Sequence, residues 1–136
     1  MKIIKSNHKY LTPEIVESCF VKGKLTSVDK TVTGNGFSTG FLNLKVRDNR
    51  MHIMIAPNVA VVEEKEKAYL ADLLLPLEHK DKVFHSENRM KFFYGKGFDD
   101  NFDDAEIIVF VADSFIMRRD AIASIAHRVD NVLLDE

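Results

Sequence analysis

The sequence predicts an α/β domain built on a mainly parallel sheet, and three observations carry that reading. Apolar segments of strand character alternate along the chain with segments whose apolar residues recur at helical spacing, the pattern of a layered α/β domain. Ile107 to Ala112 is a nearly continuous apolar run, as a strand buried on both faces requires. The chain has 136 residues, 46% hydrophobic and 29% charged, the makeup of one globular domain with a core of its own.

The elements follow in order. Thr12-Pro13-Glu14 opens a helix with a capping hydroxyl, a proline at the first helical position and an acid in the first turn. Ile15, Val16, Cys19 and Phe20 give it one apolar stripe and Gly23 ends it. Residues 1–24 thus read as an N-terminal helical extension, and no linker divides residues 1–136, which read as a single domain. Leu25 to Val32 is a strand, followed by the glycine-bearing segment Thr33-Gly34-Asn35-Gly36-Phe37-Ser38-Thr39. Met51 to Ala56 is a second strand, closed by Pro57-Asn58. Glu63 to Leu75 is a charged amphipathic helix ended by Pro76. Arg89 to Tyr94 alternates as a strand does, with Gly95 and Gly97 after it, and the acidic run from Asp99 to Asp104 is a solvated loop. The Ile107 strand comes next. Arg119 to Arg128 then places Ile122, Ile125 and Ala126 on one helical face, and Val129 to Leu134 reads as a last buried strand before Asp135-Glu136.

Charge and composition narrow the function. A net charge of −2 argues against a protein that coats nucleic acid non-specifically, while leaving room for a local basic strip such as Lys45, Arg47, Arg50, Arg118 and Arg119. No apolar stretch reaches the ~18 residues of a membrane-spanning helix, and no apolar signal core follows the basic N-terminus. The single cysteine, Cys19, points to a reducing compartment, and the expected address is the cytoplasm. His8, His52, His79, His85 and His127 are scattered, without the converging ligand set that zinc needs.

Two constellations carry chemistry. A phosphate loop surrounds its anion with backbone N–H groups at a helix N-terminus, adds a lysine to cancel charge, and offers a Ser or Thr hydroxyl to Mg²⁺. Thr33 to Thr39 has the form of the T-G-x-G-K-T-T end of such a loop, with Phe37 at the lysine position and Thr31 at that of the first glycine. The same residues suit a hairpin, because Asn35-Gly36 is a strong two-residue turn and Leu42, Leu44 and Val46 alternate with polar residues after it. The second constellation is Val132-Leu133-Leu134-Asp135-Glu136, an apolar strand ending in Asp-Glu. In this Walker B pattern the Asp holds Mg²⁺ and the Glu polarises the attacking water.

In their order along residues 25–136, the loop, the strand ending in Ala56-Pro57-Asn58, the segment Val111-Ala112-Asp113-Ser114, a helix and the closing Leu-Leu-Asp-Glu resemble the N-terminal RecA-like domain of DEAD-box-type helicases. The resemblance implies a three-layer RecA-like P-loop NTPase fold ending at its Walker B strand, and ATP and Mg²⁺ as cofactors. It further implies that Thr33, Gly34, Asn35, Gly36, Phe37, Ser38 and Thr39 line the nucleotide, that Ser38 and Asp135 hold the metal, and that Glu136 is the catalytic acid. Pro57, Asn58, Asp113 and Ser114 would lie along a strand of DNA or RNA. A second RecA-like domain, in a longer or separate chain, would be the partner, as in a phage or mobile-element component. The chain departs from the family at Phe37, where Lys30 would have to supply the missing charge, and it has no clear upstream adenine-reading glutamine motif. The implied activity is therefore helicase-like ATP binding, weak or inactive in this chain alone. Two alternatives stand beside it: a catalytically dead RecA-like interaction module, and a small α+β protein in which Gly34-Asn35-Gly36 is a hairpin turn.

Overall fold

The computed structural model describes residues 13–20, 37–44, 46–70, 90–93, 102 and 105–135. Its chain divides into two compact units, one made of residues 1–44 and 74–83, the other of residues 45–73 and 84–136.

In the first unit, helix α1 (Pro13–Ser18) packs against helix α2 (Phe37–Leu42). Val16 is fully buried, and the ring of Phe20, just past α1, lies 5.5 Å from that of Phe41. The strand expected from the alternation of Leu42, Leu44 and Val46 is not there. Phe37, Gly40 and Phe41 are all buried, at the i, i+3, i+4 spacing of one helical face. Asn43 closes the helix by donating its Nδ2 to the Thr39 carbonyl at 2.8 Å. The second arm of the hairpin is thus helical. The strand expected over Leu25 to Val32, the glycines 34 and 36 and the stop at Gly23 lie outside the described residues.

The second unit holds a four-stranded sheet in the order β2-β3-β1-β4, with β1 at Met51–Ala56, β2 at Met90–Phe93, β3 at Ile107–Val111 and β4 at Val129–Leu134. All three pairings are parallel, as the mainly parallel sheet expected from the sequence requires. Every residue of β3 is buried, as its unbroken apolar sequence demands, and each such side chain contributes roughly 1.5–3 kcal/mol relative to leaving it in water. Because side chains alternate, Met51 and Ile53 of β1 share a face with Ile108 and Phe110 of β3. There they meet Ile122, Ile125 and Phe115 from helices α4 (Ala112–Met117) and α5 (Arg119–Ile125). Phe93, Phe102 and Phe110 add a ring cluster, with Phe93 stacked on Phe110 at 5.2 Å and Phe102 edge-on to both.

Helix α3 (Val59–Leu70) begins four residues before the expected Glu63. The cause is Asn58, whose Oδ1 accepts from the Val61 backbone N–H at 3.1 Å and starts the helix on Val59. Arg119 to Arg128, expected as one helix, is α5 followed by a 3₁₀ turn over Ala126–Arg128. The other correction concerns β4, which was expected to be buried. It lies at the end of the strand order, and Val132 and Leu134 keep 49% and 64% of their surface exposed.

Candidate ligand site at the carboxyl edge of the sheet

The strand order determines where this unit can hold a ligand. From β1 the chain leads past β3 to β2, and from β3 it leads the other way, past β1, to β4. Crossovers between parallel strands are right-handed, so opposite directions place the following helices on opposite faces of the sheet. Helices α4 and α5 cover the face of Ile53 and Phe110, while α3 runs against β1, β2 and β3. Between the carboxyl ends of β1 and β3 the layers part, and open α/β sheets bind their ligands in that crevice.

Three motif ends converge on this edge. Pro57-Asn58 follows β1 directly, and both residues are exposed. Asp113, also exposed, stands in the first turn of α4, which begins at Ala112 with no loop after β3. On the other side of β1 the Asp135 amide donates to the Ile55 carbonyl at 2.9 Å, which carries that acid to the same edge. Ser114 faces inward. It is buried, and its Oγ accepts a hydrogen bond from Nη1 of Arg118. A nucleic-acid contact from Ser114 would first have to displace that arginine.

Arg118 departs from the expectation of a surface cation. It is buried, with its guanidinium 4.8 Å from the centre of the Phe93 ring, a cation–π position. Arg119 next to it is exposed. Among the described residues no group of three or more His, Cys, Asp or Glu side chains could hold a metal ion by itself. Asp113 and Asp135 are carboxylates at this edge, following β3 and β4 on either side of β1.

No family model, curated protein or solved structure matches this chain.

The remaining residues of the expected site fall elsewhere. Lys30, Thr33, Gly34, Asn35, Gly36 and Glu136 lie outside the described residues. Phe37, Ser38 and Thr39 form the first turn of α2 in the first unit, with Phe37 buried and Ser38 and Thr39 half-buried. At the amino edge of the sheet, Asp130 takes hydrogen bonds from Arg47 at 3.0 Å and from Nε of Arg50 at 2.7 Å. Burial pushes its carboxyl pKa up, but the Arg50 and Arg47 hydrogen bonds and their charges outweigh that and hold it below the usual carboxylate value. Arg50 also ties this corner to the His127 carbonyl, and Arg128 ties it to that of Asn49. Sequence reasoning saw these arginines as a basic strip and missed Asp130, whose only signal is an acid interrupting an otherwise uncharged strand. No helix among the described residues is long and apolar enough to cross a membrane.

Proposed function

We propose that this chain is a helicase-type, RecA-like nucleotide-binding domain that takes Mg-ATP across the carboxyl edge of its sheet. The observation that supports the reading most is the convergence of Pro57-Asn58, Asp113 and Asp135 on the edge where β1 and β3 part. Those are the motif ends that the sequence resemblance selects, and they come from widely separated positions. Asp135 and Asp113 would hold the magnesium ion, which would supply positive charge to the phosphates. The twelve-residue helix α3 starts at this edge, and its positive N-terminal end favours an anion there. The phosphate-cradling role of Thr33 to Thr39, the charge of Lys30 and the water-polarising role of Glu136 rest on the resemblance alone.

Turnover is slow or absent in this reading. Phe37 occupies the lysine position and is buried, so it brings no cation to the transferring phosphoryl group. Loss of one such group costs on the order of 3 kcal/mol of barrier, about a hundredfold in rate. Nucleic acid, DNA or RNA, would run past Pro57-Asn58 and Asp113. Calorimetric titration of the purified chain with ATP, with and without Mg²⁺, tests the proposal. The expected result is Mg-dependent binding that Asp113→Asn and Asp135→Asn each weaken about tenfold, and that Arg47→Ala, at the opposite edge, leaves unchanged. Binding that ignored both acid substitutions, or no binding at all, would remove the carboxyl-edge site.

A further inference from the structure

Among the described residues, strand β4 has one device of a protected edge, the register irregularity beside Asp130, and lacks the others from Asn131 to Leu134. Sheet edges open to solvent are usually defended by lysines, prolines, outward bulges or covering segments, because their free N–H and C=O groups template another strand. No strand among the described residues lies on the outer side of β4, and its sequence Val129-Asp130-Asn131-Val132-Leu133-Leu134 has neither proline nor lysine. The register that pairs Ile53 with Val132 and Ile55 with Leu134 puts these two residues on the α4–α5 face, and both are largely exposed. They are apolar side chains of an edge strand with water as their neighbour.

The charges at the two ends of β4 are opposite. At its start stand Arg47, Arg50 and Arg128 against Asp48 and Asp130, one positive charge in excess, with the Arg47 side chain 77% exposed. At its finish stands Asp135, followed in the sequence by Glu136. In an antiparallel copy paired about Leu133, Asp130 falls opposite Glu136, and Arg47 and Arg50, bonded to that Asp130, bring the positive charge to the acidic finish of the other chain. With Leu133 opposite its own counterpart, Val132 of one chain sits across from Leu134 of the other, twice over by symmetry. Cross-strand apolar pairs of this kind stabilise antiparallel ladders, and a two-fold axis makes such a contact close on itself.

We infer that two copies of this chain associate through their β4 edges, antiparallel about Leu133, joining the two described four-stranded sheets into one continuous mixed sheet. Asp135 is also the proposed magnesium acid, so the contact is tested without nucleotide or metal, which keeps its outcome distinguishable from that of the proposed function.

Sedimentation equilibrium without nucleotide or metal, over about a hundredfold range of concentration, tests it. The expected result is a monomer–dimer equilibrium that weakens as salt is raised, and that Leu134→Lys shifts to monomer with an unchanged circular dichroism spectrum. Val132→Lys, on the same face, serves as a second variant should the first fold poorly. A wild-type chain that stays monomeric throughout overturns the inference, and so does a dimer that survives both lysine substitutions in folded protein.

Discussion

The amide of Asp135 lies 2.9 Å from the carbonyl of Ile55, so the backbone holds the acid after β4 beside the end of β1. A substitution of its side chain leaves that backbone hydrogen bond in place. Magnesium removal should show this. With the metal chelated, the rise in Tm that ATP gives the wild-type chain is expected to shrink, and Asp135→Asn, which keeps only Asp113 for the metal, should lose less on chelation than wild type does. Differential scanning fluorimetry in matched buffers reads both changes.

Asp130 gives the chain an acid-sensitive joint. Its carboxyl is held below the usual value by Arg50 and Arg47, against the opposing push of burial. A group whose pKa is lower folded than unfolded stabilises the fold above its unfolded value and loses that contribution as pH falls through the folded one. Asp130→Asn is therefore expected to cost about 1 kcal/mol near neutrality. The gap between variant and wild type should close below the ordinary carboxylate range, as urea melts at a series of acidic pH values would show.

Ser114 and Arg118 form a buried pair between α4 and the ring of Phe93. Removing the hydroxyl takes a partner from a buried charged donor, and hydrogen bonds to charged groups contribute about 1.5–3 kcal/mol. Ser114→Ala is expected to lose that much in denaturant unfolding, and Ser114→Thr to recover part of it. Equal stability of Ser114→Ala and wild type would contradict the geometry.

Asn58 caps α3 through Val61. Asn58→Ala should cost about 1 kcal/mol, whereas Asn58→Asp should cost little, since either side-chain oxygen accepts the bond. A loss of ATP binding in Asn58→Asp that stability did not share would mean that the residue also touches ligand.

Phe37→Lys is the substitution the sequence resemblance invites, and burial of Phe37 sets its outcome. An ammonium placed there without a partner pays a desolvation penalty of several kcal/mol. Thermal melts should show a marked loss of stability, and phosphate release from ATP should not rise. Faster hydrolysis in a stable Phe37→Lys chain would show instead that position 37 faces phosphate.

The strands of the second unit were legible because their composition leaves little choice. Ile107 to Val111 has no polar face to present, and Met51 to Ala56 is closed by a proline. What periodicity could not show was context. Leu42, Leu44 and Val46 alternate as well as any strand, yet Phe37, Gly40 and Phe41 are buried together at helical spacing. Val129 to Leu134 reads as a core strand because it is apolar, but burial of a strand depends on its place in the sheet, and edge or centre is a property of the order β2-β3-β1-β4. The motif ends at Pro57, Asp113 and Asp135 were visible individually. Their meeting at one edge follows from parallel pairing, which no local pattern encodes.

The central position of β1 also governs the order of events when the polypeptide first collapses. Both of its neighbours come later in the chain, and His52 meets Asn131 across β1 and β4 with 79 positions between them. β1 therefore has to wait, its apolar residues Met51, Ile53 and Met54 uncovered, until remote segments arrive to flank it. Such non-local closure is entropically slow, and an apolar strand left waiting is the sort of segment that chaperones recognise and that aggregates recruit. In this chain the same architecture that opens a crevice for a ligand makes its middle strand the most vulnerable stretch of the newborn protein.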